Sequence, residues 1–227
     1  PLSMDGSKTI EQRKKLLKIC YKIIFNSSWS KKRFLEGLEN KFVNSNKLLI
    51  FYQSAQKGSL ELLKKKKKWI TFVGKLNKAK GYDVFVKSIT KILDKYKDWK
   101  ALIIGDEKRE KIILNHRNAT ILGFKKHNEV LKIFKKTSIT VACSRWDEPF
   151  GRTSLEASAN GCAVIITNKG GLPETVTDAK ILQILNEKNL TKSISNLIDD
   201  KKTRKDLQKK SIQNFYLTHK YVSKKID

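Results

Sequence analysis

A chain of 227 residues that is 39% hydrophobic can build one large domain or two small ones, and no apolar run approaches the ~20 residues needed to span a bilayer. Its net charge of +27 comes from 49 lysines and arginines against 22 acidic residues, and lysine outnumbers arginine 42 to 7 along the whole chain. Arginine carries most base-edge and bidentate phosphate recognition, so the balance argues against a specific nucleic-acid binder and reads first as lysine bias, with attraction to anionic lipid as the second reading.

In chain order, Ser7 to Lys22 reads as a helix with Ile10, Leu16, Leu17, Cys20 and Tyr21 near a helical period. Lys22 to Phe25 is a short apolar strand, and Trp29-Ser30 opens a helix through Leu38 with Ser30 as its cap. Leu48 to Tyr52 is a second strand. These are too few strands for a self-sufficient sheet, and the chain starts at Pro1 with its single methionine at Met4. We therefore expect a piece of a longer protein; Pro1 to Lys18 has no signal-peptide pattern. The five lysines Lys64 to Lys68 read as a solvated linker or helix end, and a domain boundary is placed near them.

A regular alternation follows. Strands are expected at Trp69–Gly74, Ala101–Gly105, Ala119–Phe124, Ser138–Cys143, Cys162–Thr167 and Ile181–Leu185. Helices are expected at Gly81–Tyr96, Asn128–Lys136 and Thr153–Asn160, with a short one from Pro173 and two lysine-rich amphipathic helices at the end. The fold class is α/β, a doubly wound parallel sheet whose short apolar strands are buried on both faces. Ligands of such sheets bind beyond the carboxyl ends of the strands. Cys143 and Cys162 lie in apolar runs, and with Cys20 they read as reduced residues of a reducing compartment.

The chemistry gathers at those strand ends. Gly74 to Gly81 is a glycine turn carrying Lys75 and Lys80, which suits a diphosphate but also fits a plain solvent-exposed loop; it is not a P-loop. In the segment Glu148-Pro149-Phe150-Gly151-Arg152-Thr153-Ser154-Leu155-Glu156, two carboxylates stand eight positions apart around a glycine turn that opens a helix. The first N–H groups of a helix suit phosphate, and the carboxylates can accept sugar hydroxyls. The alternative is a capping box between Thr153 and Glu156. Gly170-Gly171-Leu172-Pro173-Glu174 permits close backbone approach, or is ordinary turn-and-cap chemistry. Phe124 can offer its backbone to a base edge, His127 reads as a surface or cap-adjacent residue, and His116 as exposed. No metal-ligand spacing occurs.

Together, Val73-Gly74-Lys75-Leu76 with Lys80-Gly81, the Glu148–Glu156 pair with Phe150-Gly151, and Gly170 to Glu174 resemble the retaining glycosyltransferases of the GT4 family, which have the GT-B fold. The resemblance implies a C-terminal part of an N-terminal, acceptor-side domain over 1–66, a Rossmann-like nucleotide-sugar-binding domain over 67–210, and a helix over 211–227 crossing back to the first domain. It implies that Lys75 and Lys80 hold the donor diphosphate, Glu156 accepts ribose hydroxyls, and Glu148 positions the transferred sugar. Backbone N–H groups of Phe150, Gly151 and Arg152 would face that sugar, those around Thr153 and Ser154 the phosphate, and Phe124 the base; Gly74 belongs to the same loop. The family usually has arginine where Lys75 stands, and its glycine-rich loop and donor-side histidine are not found before Trp69.

The function implied is transfer of a sugar, hexosyltransferase-type, from a nucleotide sugar to a glycan or lipid-linked acceptor with retention, without a metal or other cofactor. The expected place is the cytoplasm, with peripheral contact at the inner face of an anionic membrane, and the expected process is cell-envelope polysaccharide synthesis. The complete enzyme is expected to be active and this chain alone inactive or nearly so. The competing readings are a sugar epimerase or phosphorylase of the same fold, and a basic nucleic-acid or membrane-surface binding module.

Overall fold

The computed structural model describes residues 9–42 and 45–225; Ser7 and Lys8 of the first expected helix lie outside them. A six-stranded, all-parallel sheet dominates, built from β3 (Lys67–Val73), β4 (Lys100–Ile104), β5 (Ala119–Ile121), β6 (Thr137–Ala142), β7 (Ala163–Thr167) and β8 (Lys180–Leu182). The strand order is β5-β4-β3-β6-β7-β8, so chain direction across the sheet reverses between β3 and β6. That is the topological switch point, where a crevice opens at the strand ends.

Both faces of the central strands are covered, which is why they read as largely apolar runs. Ile70, Phe72, Ala101, Ile103, Ile139, Val141, Ala163 and Ile165 pack on one side with α3 (Tyr82–Lys95) and α6 (Glu187–Asp199). Ile104, Val164 and Ile166 alternate to the other side, against α4 (His127–Phe134) and α5 (Arg152–Ala159). At the shared edge of the two central strands Thr71 and Thr140 spend their buried hydroxyls on each other, 3.0 Å apart. The doubly wound α/β class read from the sequence is the observed fold.

The preceding segment forms a smaller lobe in which α1 (Ile10–Ile19), β1 (Ile23–Phe25), α2 (Ser28–Leu35) and β2 (Leu48–Ile50) enclose Leu17, Phe25, Phe34 and Leu48. β1 and β2 pair in parallel. Buried Arg13 donates to the carbonyls of Phe34 (2.5 Å) and Glu36 (2.8 Å), closing the C-terminal end of α2. Ser27, not the expected Ser30, caps α2: its hydroxyl accepts from Ser30 N at 2.9 Å. A serine three residues into the helix can only be a receiver of that cap.

The two lobes are laced together. Ala55 N donates to Leu217 O and Gly58 N to Ala159 O, so the connecting chain runs along α5. Ala55, Phe150, Leu155, Ala159, Phe215 and Leu217 form a joint cluster there. After β8 the described residues form three helices rather than two: α6, α7 (Lys201–Gln213) and α8 (His219–Ser223), with His219 Nδ1 2.8 Å from Ser54 Oγ.

The lysine run is not uniformly solvated as expected. Lys67 and Lys68 begin β3, and the ammonium of Lys66 points inward to the carbonyls of Phe134 (2.9 Å) and Asn160 (2.7 Å). His116 is likewise not exposed: its side chain is 9% accessible, with Nε2 3.3 Å from Asp94 and Nδ1 accepting from Asn118 N. Cys143 and Cys162 are buried free thiols, as read, and burial pushes Cys143 up to about 12.

Candidate functional site

A cavity of about 380 Å³ opens at the switch point. Its floor is the ends of β3 and β6, with Val73, Gly74, Ala142, Cys143 and Ser144. Lys80 and the turn Glu148 to Thr153 form its walls, and Asn26 and Gln53 reach in from the smaller lobe.

The loop from Gly74 to Gly81 is held by the loop after β6. Ala79 O accepts from the backbone N–H groups of both Arg145 (2.9 Å) and Trp146 (3.1 Å), and Ser144 Oγ donates to the same carbonyl at 3.2 Å. Arg145 also forks onto Asp83, with Nη1–Oδ1 2.5 Å and Nη2–Oδ2 2.8 Å, and donates to Lys78 O. The guanidinium holds the Asp83 carboxyl below its ordinary value. Removing the fork in Arg145→Ala should cost about 1 kcal/mol or less, because the pair is partly solvated. The depressed carboxylate contributes fully above its unfolded value and loses that contribution as pH falls through the folded one. The gap between wild type and variant in urea unfolding should therefore be flat near neutrality and close only below the usual Asp value of 3.8. A gap unchanged well below that value would exclude the Asp83 contact as its source.

Lys80 forms an ion pair with Glu148 across the cavity, the carboxylate being the more buried partner. Glu148 is fixed from behind. It forms a parallel bridge with Gly170, and Gly171 N donates to Glu148 O at 2.6 Å. This is the use the structure makes of the paired glycines.

The helix α5 begins at Arg152 behind Gly151, which offers no side-chain cap. Its first intrahelical bond runs from Leu155 N to Gly151 O, so the N–H groups of Arg152, Thr153 and Ser154 precede the helical ladder. The capping-box alternative fails: Thr153 Oγ1 lies 3.4 Å from Val73 O, and Glu156 points elsewhere. Buried Glu156 Oε1 accepts from Arg152 Nε (2.6 Å) and sits 2.9 Å from His127 Nε2. His127 is the exposed first residue of α4, next to its cap as read, and its ring also partners the Glu156 carboxylate.

Of the residues singled out by sequence, Gly74, Lys80, Glu148, Phe150, Gly151, Arg152 and Thr153 line the cavity. Lys75 is exposed and Phe124 is 74% exposed beyond β5; neither lines it. Ser154 is buried, its hydroxyl donating to Gly151 O and meeting Thr175 Oγ1 at 2.7 Å. Glu156 lies behind the wall, under Arg152. Sequence reasoning missed Asn26 and Gln53, whose amides carry no local motif. Among the described residues no group of three His, Cys, Asp or Glu could hold a metal ion.

The arrangement concentrates helix N–H groups and a lysine beside a carboxylate, a combination able to bind an anion next to a hydroxylated group. A family model described as Glycosyl transferases group 1 matches residues 56–214. The chain is 27% identical over 162 residues to spore coat protein SA of Bacillus subtilis, covering 64% of this chain and 43% of that protein. It is 32% identical over 200 residues to an uncharacterized glycosyltransferase of Methanocaldococcus jannaschii, covering 82% of this chain and 52% of that one. The chain thus spans about half the length of these curated relatives. Among solved structures, Anabaena HepE in complex with UDP superposes with a TM-score of 0.76 at 16% identity, over 100% of this chain and 68% of that chain. The C-terminal domain of a group 1 glycosyl transferase from Francisella tularensis superposes with a TM-score of 0.58 at 26% identity, over 72% and 92%.

Proposed function

Because this chain belongs to the Glycosyl transferases group 1 family, we propose that it carries the donor site of a GT4-type glycosyltransferase that moves a sugar from a nucleotide sugar with retention. The observation that carries this reading is the cavity at the switch point, where the uncapped N-terminus of α5 faces the Lys80–Glu148 pair.

The N–H groups of Arg152, Thr153 and Ser154 and the Lys80 ammonium would take the diphosphate, with Lys75 joining from the loop. Negative charge grows on the diphosphate as the bond to the sugar breaks, and donors fixed beforehand stabilise it most in the transition state. A diphosphate would share Lys80 with Glu148 and leave the carboxylate to sugar hydroxyls, as a positioning residue rather than a catalytic acid. Ribose hydroxyls would reach Glu156 by displacing Arg152, and the backbone at Phe124 would meet the base. No metal is assigned a part. The acceptor, a glycan or lipid-linked sugar at the inner membrane face, and transfer itself belong to the whole protein; this chain alone is proposed to bind donor with little or no turnover.

UDP is the first nucleotide to test, since HepE was solved with it. Saturation-transfer NMR with UDP, GDP, ADP and CDP should select one nucleotide, and Glu156→Ala should weaken it by about tenfold, the worth of one charge-assisted contact. Equal binding of all four, unchanged in the variant, would reduce the contacts to charge attraction and remove the support for this site.

A further inference from the structure

Glu174 follows the paired glycines and ties the small lobe to the cavity without lining it. Its Oε2 accepts from Ser28 N at 2.7 Å and from the Tyr52 hydroxyl at 3.1 Å, and its Oε1 accepts from Trp29 N at 2.8 Å. Ser28 and Trp29 are the first residues of α2, where N–H groups lack intrahelical partners and the helix dipole favours a negative charge. The same helix end is held by the Glu148 turn: Ser27 Oγ and Ser30 Oγ both donate to Pro149 O, at 2.5 and 3.0 Å. Gly171 passes so near that a side chain there would come within 3.0 Å of Ser27.

Both cavity amides are chained to these contacts. Asn26 directly precedes Ser27, and its Oδ1 lies 3.0 Å from Ser30 Oγ, whose single proton it shares with Pro149 O. Gln53 directly follows Tyr52, whose ring stacks on Phe150 with centroids 5.8 Å apart. Neutral amides pair a donor with an acceptor, which suits hydroxyl groups better than phosphate. The cationic and N–H groups lie instead at Lys80 and α5.

We propose that Asn26 and Gln53 bind hydroxyls of the transferred sugar, and that Glu174 is a positioning residue that sets both amides by clasping α2 to the Glu148 turn. This rests on the nucleotide-sugar reading above.

The test uses the whole chain, titrated with UDP and UDP-glucose and with GDP and GDP-mannose, together with amide exchange over residues 28–35. Asn26→Ala/Gln53→Ala should weaken the nucleotide sugar about tenfold and the bare nucleotide less than about twofold. Glu174→Ala should reproduce that split and speed exchange over 28–35 by about tenfold, with β3 and β6 unchanged, while Glu174→Gln, which keeps one acceptor oxygen, should recover part of both. Equal weakening of nucleotide and nucleotide sugar, or unaltered exchange in Glu174→Ala, overturns the proposal while leaving the donor site standing. If wild type binds the nucleotides but gains nothing from the sugar, the proposal also fails alone. If wild type binds neither, the nucleotide-sugar reading fails and the sugar role falls with it; exchange then decides the clasp by itself.

Discussion

Gly170→Ala is expected to destabilise the protein by about 2–4 kcal/mol and to lower donor affinity by more than about a hundredfold. Gly170 has φ of 58°, where a side chain already costs about 1–2 kcal/mol. An added Cβ would also lie 2.5 Å from Glu148 N and 2.7 Å from the Asp147 carbonyl carbon, and nearer still to Glu148 O. All of these are backbone atoms, so no side-chain rotation relieves the overlap. The Glu148 turn would have to move outward, breaking the bridge to Gly170 and the bond from Gly171, and drawing the carboxylate away from Lys80. Gly123→Ala is the control: φ is 65°, but nothing lies within 4 Å of the added atom. It should show only the conformational cost of about 1–2 kcal/mol, with binding retained. Urea unfolding and nucleotide-sugar titration of the two variants check this. Equal, mild effects at both positions would mean that the paired glycines do not hold Glu148 in place.

Lys66→Met is expected to cost about 2–4 kcal/mol, measured by urea unfolding, whereas Lys65→Met on the surface should stay within about 0.5 kcal/mol. The ammonium of Lys66 joins the last residue of α4, Phe134, to the residue closing α5, Asn160, and approaches Cys162 Sγ at 3.8 Å. Carbonyls at helix ends have no intrahelical partner, and buried ones left unpaired are costly. Methionine keeps the length of the stem but donates nothing. Burial lowers the lysine's folded pKa from its ordinary 10.5. Between the folded and unfolded values the unfolded chain holds more protons, so this group's contribution rises with pH across that window. The wild-type advantage over Lys66→Met should therefore grow as pH approaches 10.5. An advantage that shrinks there would mean the amine needs its charge to hold the two helices.

The β/α alternation was legible because strands buried on both faces must be mostly apolar, as Ala163 to Ile166 are, and a buried Thr140 is tolerated in β6 only because Thr71 takes its hydroxyl. Boundaries were less legible. Ser27 and Ser30 are equivalent as letters, and only the backbone turn at Ser27 decides which hydroxyl receives the helix N–H. The loops bearing Lys80 and Glu148 to Thr153 could be placed at strand ends, since the direction of a parallel strand fixes which loop lies at its carboxyl end.

Local pattern, period and turn chemistry thus determined the doubly wound class and which loops lie at the carboxyl ends of its strands, because these depend on residues adjacent in sequence, whereas the strand order decided which of those loops share the switch point. Tertiary structure alone decided that Lys66, one of five lysines in a row, is turned inward, that His127 meets Glu156, and that Glu174 reaches Ser28, Trp29 and Tyr52 of the small lobe. Each of these rests on a polar partner on another element, distant in sequence, and the need for that partner is invisible until the chain has folded around it.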